Sequence, residues 1–259
     1  MRHPFLILVA VVLAGCGAQK QQSPAAEQKA PAPKAPRIVA ANVRHCTDGQ
    51  VVPLGSSVRA YAASAPSGAV AFRRPGGDVV ARFGRKNVND YPTVFGVVAS
   101  VVRTNCSPRW YRVQLPKKPN GVTAYVRARA LRVEAVSSRV LIDLSERRLT
   151  LYRRGKPVLT ATVAVGSPST PTPTGRFYVN QRLVPTDPGG PYGPGAIGIS
   201  AFSNVLTGWV QGGPVAIHGT NEPWSIGHAV SNGCIRLPNP TLERVFRQTP
   251  AGTPVIIRP

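Results

Sequence analysis

A chain of 259 residues with 42% hydrophobic content can bury a sizeable core and fold as one large domain or two modest ones. Its formal net charge of +22 points, outside a cell, toward anionic wall polymers or lipid headgroups more than toward nucleic acid. The basic residues are spread along the chain rather than clustered, which fits a plain arginine-rich composition as well.

The chain opens "MRHPFLILVAVVLAGC", with Arg2 and His3 followed by an apolar run over 5–14 that is too short to cross a bilayer as a permanent helix. This reads as an export signal. It ends Leu13-Ala14-Gly15-Cys16, which resembles the lipobox of bacterial lipoproteins. That resemblance implies a signal peptide over 1–16, lipidation at Cys16, and an exported protein anchored to the outer face of the membrane and facing the cell wall. Several acyl chains hold where a single one holds only marginally. No other segment is long and apolar enough to span a membrane. Residues 17–37, "GAQKQQSPAAEQKAPAPKAPR", are poor in large apolar side chains and rich in Ala, Pro, Gln and Lys, so they form a semi-extended tether.

With Cys16 lipidated, Cys46, Cys106 and Cys234 remain, and an odd count in an oxidising compartment leaves one free thiol. Cys46 and Cys106 both lie in the first half and are expected to pair. Cys234 is then the thiol left over.

Residues 38–135 are expected to be a small all-β unit. "QVVPLGSSVRAYAA" and "YPTVFGVVASVVRTN" are short β-branched runs between Gly, Pro and Asn, and "RWYRVQLP", "KKPNG" and "VTAYVRARALRV" read as strand, hairpin loop and strand. Over about 50–133 this resembles the SH3-like domains that accompany bacterial cell-wall enzymes, which implies a small β-barrel.

Residues 136–259 form the second unit. "RVLIDLSERRLTLYRRGKPVLTATVAVG" gives three consecutive strands, with turns at 143–146 and 154–156; "RLTLYR" alternates as a half-exposed strand does, and "ATVAVG" is a buried one. The stretches "SPSTPTPTGRFYVNQ" and "DPGGPYGPGAIGIS" are dense in Pro and Gly and read as long loops, which in a compact domain usually carry function. "GRFYVNQRLV" between them is a strand, "GGPVAIHGT" brings another up to His218, "PNPTLERVFRQT" has a helical pattern capped at Thr241, and "GTPVIIRP" closes as a strand. The second half is mostly β with one or two short helices.

"AIHGTNEPWSIGHAVSNGCIRLPN", over 216–239, gathers two of the four histidines and one cysteine. A cysteine nucleophile needs its thiolate, a base within hydrogen-bond reach and donors for the developing oxyanion. Gly233 removes bulk beside Cys234 and leaves the N–H groups of Gly233 and Cys234 free to face that charge. His218, at the end of a strand, is held by a rigid element as a base should be. His228 is nearer in sequence, but it lies in "EPWSIGHAV" and reads as an exposed loop residue; His45 needs no role. His218, His228 and Cys234 lack the close ligand pairing of a metal site.

Here the sequence resembles the catalytic domain of the YkuD-like L,D-transpeptidases. The matching residues are His218, Gly219 and Thr220, then Ser231, Asn232, Gly233, Cys234, Ile235 and Arg236, with "VAVGSPSTPTPTGRFYV" and "YGPGAIGIS" upstream. The resemblance covers about 139–259 and implies a β-sandwich catalytic domain. It further implies that Cys234 attacks the carbonyl of a peptidoglycan tetrapeptide stem, that His218 takes its proton, and that the Gly219 carbonyl holds the imidazole. The thioester would then pass to an amine acceptor, giving 3→3 cross-links in wall biogenesis.

Ser231 and Arg236 are expected to bind substrate, Arg236 by positioning the site or meeting a stem carboxylate. Tyr192 and Trp224 are candidates to line the donor groove, or else to pin their loops to the core. Asn232 stands where the family commonly has histidine. It can donate a hydrogen bond, for positioning or for the oxyanion, and cannot relay a proton. No cofactor is implied, and carbapenem-type β-lactams should acylate the same thiol. Resolution by water, giving an L,D-carboxypeptidase, by a protein amine, attaching a partner to the wall, or a non-catalytic wall-binding scaffold are the alternatives.

Overall fold

Alternation and short turns build nearly everything in residues 45–259, the part of the chain that the computed structural model describes. The expected signal peptide, Cys16 and the tether over 17–37 lie outside the described residues. Among the described residues no helix is long and apolar enough to cross a membrane.

The first eight strands are β1 (Val51–Pro53), β2 (Ala60–Ser64), β3 (Ala69–Phe72), β4 (Val79–Phe83), β5 (Val94–Val102), β6 (Pro108–Gln114), β7 (Thr123–Arg127) and β8 (Arg132–Val136). They form one sheet in the order β4-β3-β7-β6-β5-β2-β8, with β1 paired to β5. Its interior holds Ala63, Ala71, Phe95, Val113, Leu115, Ala124 and Val126, all buried. The hairpin of β3 and β4 was not anticipated, and the run "VTAYVRARALRV" is not one strand: a short 3₁₀ turn at Ala128–Ala130 breaks it into β7 and β8. A disulfide joins Cys46 to Cys106, closing a loop of 60 residues.

A second sheet follows from β9 (Ser138–Asp143), β10 (Arg148–Arg153), β11 (Lys156–Thr162), β13 (Gly175–Leu183), β14 (Ala196–Phe202), β15 (Pro214–His218), β17 (Ile235–Arg236) and β18 (Pro254–Arg258). The strand order is β11-β10-β9-β18-β13-β14-β15-β17, while β12 (Val165–Gly166) and β16 (Ala229–Ser231) pair separately. In β10 the alternation puts Leu149 and Leu151 inward, opposite Ile142 and Val140 of β9, and all four are fully buried. Burial of each contributes roughly 1.5–3 kcal/mol. The turn between these strands forms because Asp143 accepts from the Ser145 hydroxyl (2.7 Å) and the Glu146 N–H (2.9 Å), with Arg258 donating to its other oxygen at 2.8 Å.

Three expectations about this half are corrected. The run "ATVAVG" is not one buried strand: β11 ends at Thr162, and Val165–Gly166 is β12, paired elsewhere. The segment "AIGIS", taken as part of a loop, is strand β14; Ala196 to Ala201 are all buried, so small residues replace the usual alternation with a pattern buried on both faces. The helix α1 (Asn239–Gln248) starts two residues before Thr241, with Pro238 as its N-cap residue. Pro240 is tolerated in a first turn, whose N–H groups have no intrahelical partner. Leu242 and Val245 of α1 then reach the core.

The two sheets meet around β13. Tyr178, 2% exposed, lies against Gly96 of β5, where a Cβ would come within 2.9 Å of the ring. Its hydroxyl donates to the Val94 carbonyl at 3.1 Å. Around it Gln114 donates to the Arg176 carbonyl (2.8 Å), Asn87 and Asn89 both donate to Gln181 (2.8 and 3.0 Å), and Asn120 bonds both the carbonyl and the N–H of Phe202 (2.8 and 2.9 Å). The first sheet thereby fixes β13 and β14, the strands that support β15.

Tyr178→Phe leaves the Val94 carbonyl without this donor and should lower stability by about 1–2 kcal/mol in urea unfolding. Replacing both Cys46 and Cys106 by serine should cost roughly 4 kcal/mol on the loop-entropy account, measured the same way under non-reducing conditions.

Candidate active site

Strands β15 and β17 run parallel, with Ile217 opposite Ile235 and His218 opposite Arg236. Side chains alternate along a strand. Ile217 and Ile235 therefore point one way, and both are fully buried in the core. His218 and Arg236 share the other face, and Cys234, two residues before Arg236, falls on that face too.

Cys234 is a free, half-buried thiol, and the backbone N–H of Ala216 on β15 donates to its sulfur. Burial pushes its pKa up, against smaller downward pulls from that N–H and from the Arg236 charge. His218 is 4% exposed. Its Nδ1 lies 2.5 Å from the Gly219 carbonyl; a carbonyl can only accept, so Nδ1 carries the proton and Nε2 keeps a lone pair. Desolvation holds His218 down at about 4, the Gly219 contact opposing this and the Arg236 charge adding to it. Tyr192 packs edge-on to the imidazole with ring centroids 5.1 Å apart. Both shifts run toward the uncharged forms, a thiol and a neutral imidazole, and burial is the larger cause of each.

The turn carrying Cys234 is built from hydroxyls. Ser231 donates to the Cys234 carbonyl at 2.6 Å and accepts the Gly233 N–H at 3.1 Å. From the loop over 167–172, Thr172 donates to the Gly233 carbonyl (3.0 Å) and Thr170 to the Ser231 carbonyl (2.9 Å). Gly233 has φ 104°, a conformation that only glycine takes without strain.

This geometry changes several expected roles. Ser231 is 2% exposed and its hydroxyl is fully used within the turn, so it shapes the site rather than touching substrate. The Gly233 N–H is taken by Ser231; of the two expected oxyanion donors, only the Cys234 N–H has no partner among the described residues. Asn232 is exposed at the tip of the turn, and its amide bonds none of the described residues. Arg236 is not a free anchor, because Glu222 already pairs with it. Trp224 and Tyr192 are 63% and 51% exposed; Tyr192 touches His218, and Trp224 sits in the 3₁₀ turn Pro223–Ser225. His228 is exposed, its backbone bonding Val165 and Ser225. Among the described residues no three His, Cys, Asp or Glu side chains come together as a metal site would need.

Sequence reasoning missed four residues that hold this arrangement. Thr170 and Thr172 cradle the cysteine turn, Glu222 holds Arg236, and Asn239 at the start of α1 accepts the Thr220 N–H at 2.7 Å. The Thr-Pro spacing over 170–174 was the only local signal, and it marked a loop without showing what the loop supports.

The depressed His218 value makes stability depend on pH. Unfolded, the ring titrates near its ordinary 6.5; folded, it resists protonation down to about 4. Between these values the unfolded chain takes up a proton that the folded chain refuses, so stability present above pH 6.5 is lost as the pH falls. The loss amounts to about 3 kcal/mol by pH 4. Urea unfolding at pH 7 and pH 4 should show wild type losing about that much more than His218→Asn.

Residues 137–257 match the family model for the L,D-transpeptidase catalytic domain, YkuD. The chain is 37% identical over 126 residues to the putative L,D-transpeptidase YkuD of Bacillus licheniformis, covering 49% of this chain and 68% of that protein. It is 36% identical over 118 residues to the Bacillus subtilis YkuD (46% and 64%) and 28% identical over 168 residues to the probable L,D-transpeptidase YbiS of Escherichia coli (54% and 50%). The chain thus spans between half and about two thirds of these relatives. Among solved structures, LdtMt1 in complex with imipenem is similar at TM-score 0.41 and 17% identity, over 80% of this chain and 88% of that one. Through its second sheet and helix, this chain belongs to the YkuD family of L,D-transpeptidase catalytic domains.

Proposed function

We propose that this chain is a cysteine-dependent L,D-transpeptidase acting on peptidoglycan tetrapeptide stems. The observation that carries the reading is the register of β15 and β17, which puts one free thiol and a buried imidazole with an available Nε2 on the same side of the pairing. Family membership and the relatives' names support it.

In this reading the Cys234 sulfur attacks the carbonyl carbon of the donor stem as its proton passes to His218 Nε2. With both groups shifted toward their neutral forms, the proton moves in step with attack, so that the developing oxyanion rather than a bare thiolate carries the charge. The Cys234 N–H faces that oxyanion. His218 then gives its proton to the departing amine, leaving a thioester. An acceptor amine displaces the sulfur, His218 taking the amine's proton and returning it to the thiol. With a diaminopimelate amine as acceptor the product is a 3→3 cross-link; with water it is a trimmed stem, and with a protein amine an attached partner. Export and anchoring through Cys16, with 38–135 as an SH3-like accessory unit, complete the proposal and place the site against the wall. The opening sequence through Cys16 supports the first part.

A carbapenem offers the same thiol a strained acyl donor and should leave one adduct on Cys234, read by intact mass. Cys234→Ser should abolish it. His218→Ala should slow it by roughly 10²–10⁴-fold, and His228→Ala should leave it unchanged. No adduct on wild type would favour a wall-binding scaffold, and a reversal of the histidine results would overturn the assignment of the base. Incubation with defined stems then separates cross-linked dimer from trimmed monomer.

A further inference from the structure

Among the described residues Arg236 is the one cation whose charge acts on both Cys234 and His218, and it is not left to solvent. Its side chain is 20% exposed and pairs with Glu222, from the segment between β15 and β16. The backbone of Glu222 is fixed, with its side chain 45% exposed: its N–H donates to the Thr220 hydroxyl at 2.9 Å, and its carbonyl accepts the Ser225 hydroxyl at 2.6 Å and the Ser225 N–H at 3.0 Å. Thr220 is in turn tied to Asn239 of α1. A chain of short bonds therefore runs from the helix through the loop to the guanidinium.

We infer that Glu222 is a positioning residue of the active site, holding the Arg236 guanidinium over the His218 and Cys234 face and offsetting part of its charge there. The inference rests on Cys234 being the reacting sulfur. A guanidinium near a thiol favours the thiolate and near an imidazole disfavours imidazolium, and Cys234 and His218 both feel the Arg236 charge in that sense. Glu222 tempers the effect and fixes where it is applied. A carboxylate already on Arg236 also gives an incoming stem carboxylate a resident competitor.

The ionisable groups around Cys234 are few. They are His218 on β15, Arg236 on β17, Glu222 beyond Thr220, and Tyr192 packed on the imidazole; His228 in the same segment and Glu243, Arg244 and Arg247 of α1 are exposed. Strand β14 and the loop over 167–172 contribute none. Two substitutions separate charge from position. Glu222→Gln keeps an acceptor for Arg236 and removes the offsetting charge. Glu222→Ala removes both, so Arg236 turns away into water.

The test is the pH–rate profile of iodoacetamide alkylation at Cys234 in the full chain, read by mass on the peptide that bears it. Glu222→Gln should move the midpoint down by about half a unit or more, whereas Glu222→Ala should leave it at the wild-type value or raise it. Thermal unfolding of each variant confirms that it is folded. Midpoints that match wild type in both variants, or that fall together, overturn the inference and reduce Glu222 to a loop staple. Alkylation reads the thiol whether or not the chain transfers acyl groups. A missing carbapenem adduct would therefore sink the proposed reaction and leave this result interpretable.

Discussion

The parallel pairing of β15 with β17 is the constraint on which the site depends. Ile217 and Ile235 face each other in that pairing and are buried without remainder in the core, and a slip of one residue would turn both outward. The same register sets His218 across from Arg236 and puts Cys234 beside Ala216. Hydrophobic burial on one face thus determines the chemistry on the other. Neither strand could do this alone, since β17 is only two residues long and takes its place from β15 and from the hydroxyl network of Ser231, Thr170 and Thr172.

That network explains how the turn can sit against the core with most of its backbone groups bonded. A turn of four residues beside a core would leave several backbone groups unpaired, each costing about 1–3 kcal/mol. Serine and threonine hydroxyls pair them within a small volume, and Gly233 takes the backbone angle that no side chain allows without strain. Burial against the core pushes the thiol and the imidazole both toward their neutral forms.

Much of the fold could be read from the sequence where one face of a strand is wet. The alternation in β10 and the turn at Asp143 announced the first hairpin of the second sheet, and "GRFYVNQRLV" announced β13. Strand β14 could not be seen, because a strand buried on both faces and built from Ala, Gly and Ile beside a Pro-Gly run looks like loop. In the site, residue types could be read from the motif, and partnerships could not. Nothing in "SNGC" says that Ser231 already holds the Gly233 N–H. Nothing in "CIR" says that Glu222, fourteen residues earlier, has taken the guanidinium.

The disulfide carries a mechanical consequence. Cys46 lies five residues before β1, a strand of only three residues that pairs with β5 alone, and it is bonded to Cys106 in the connection between β5 and β6. A tug applied to the polypeptide at residue 45 is therefore delivered through a covalent link to the turn that joins β5 and β6, two inner strands of the first sheet. The load bypasses the short ladder of β1, which would otherwise unzip first.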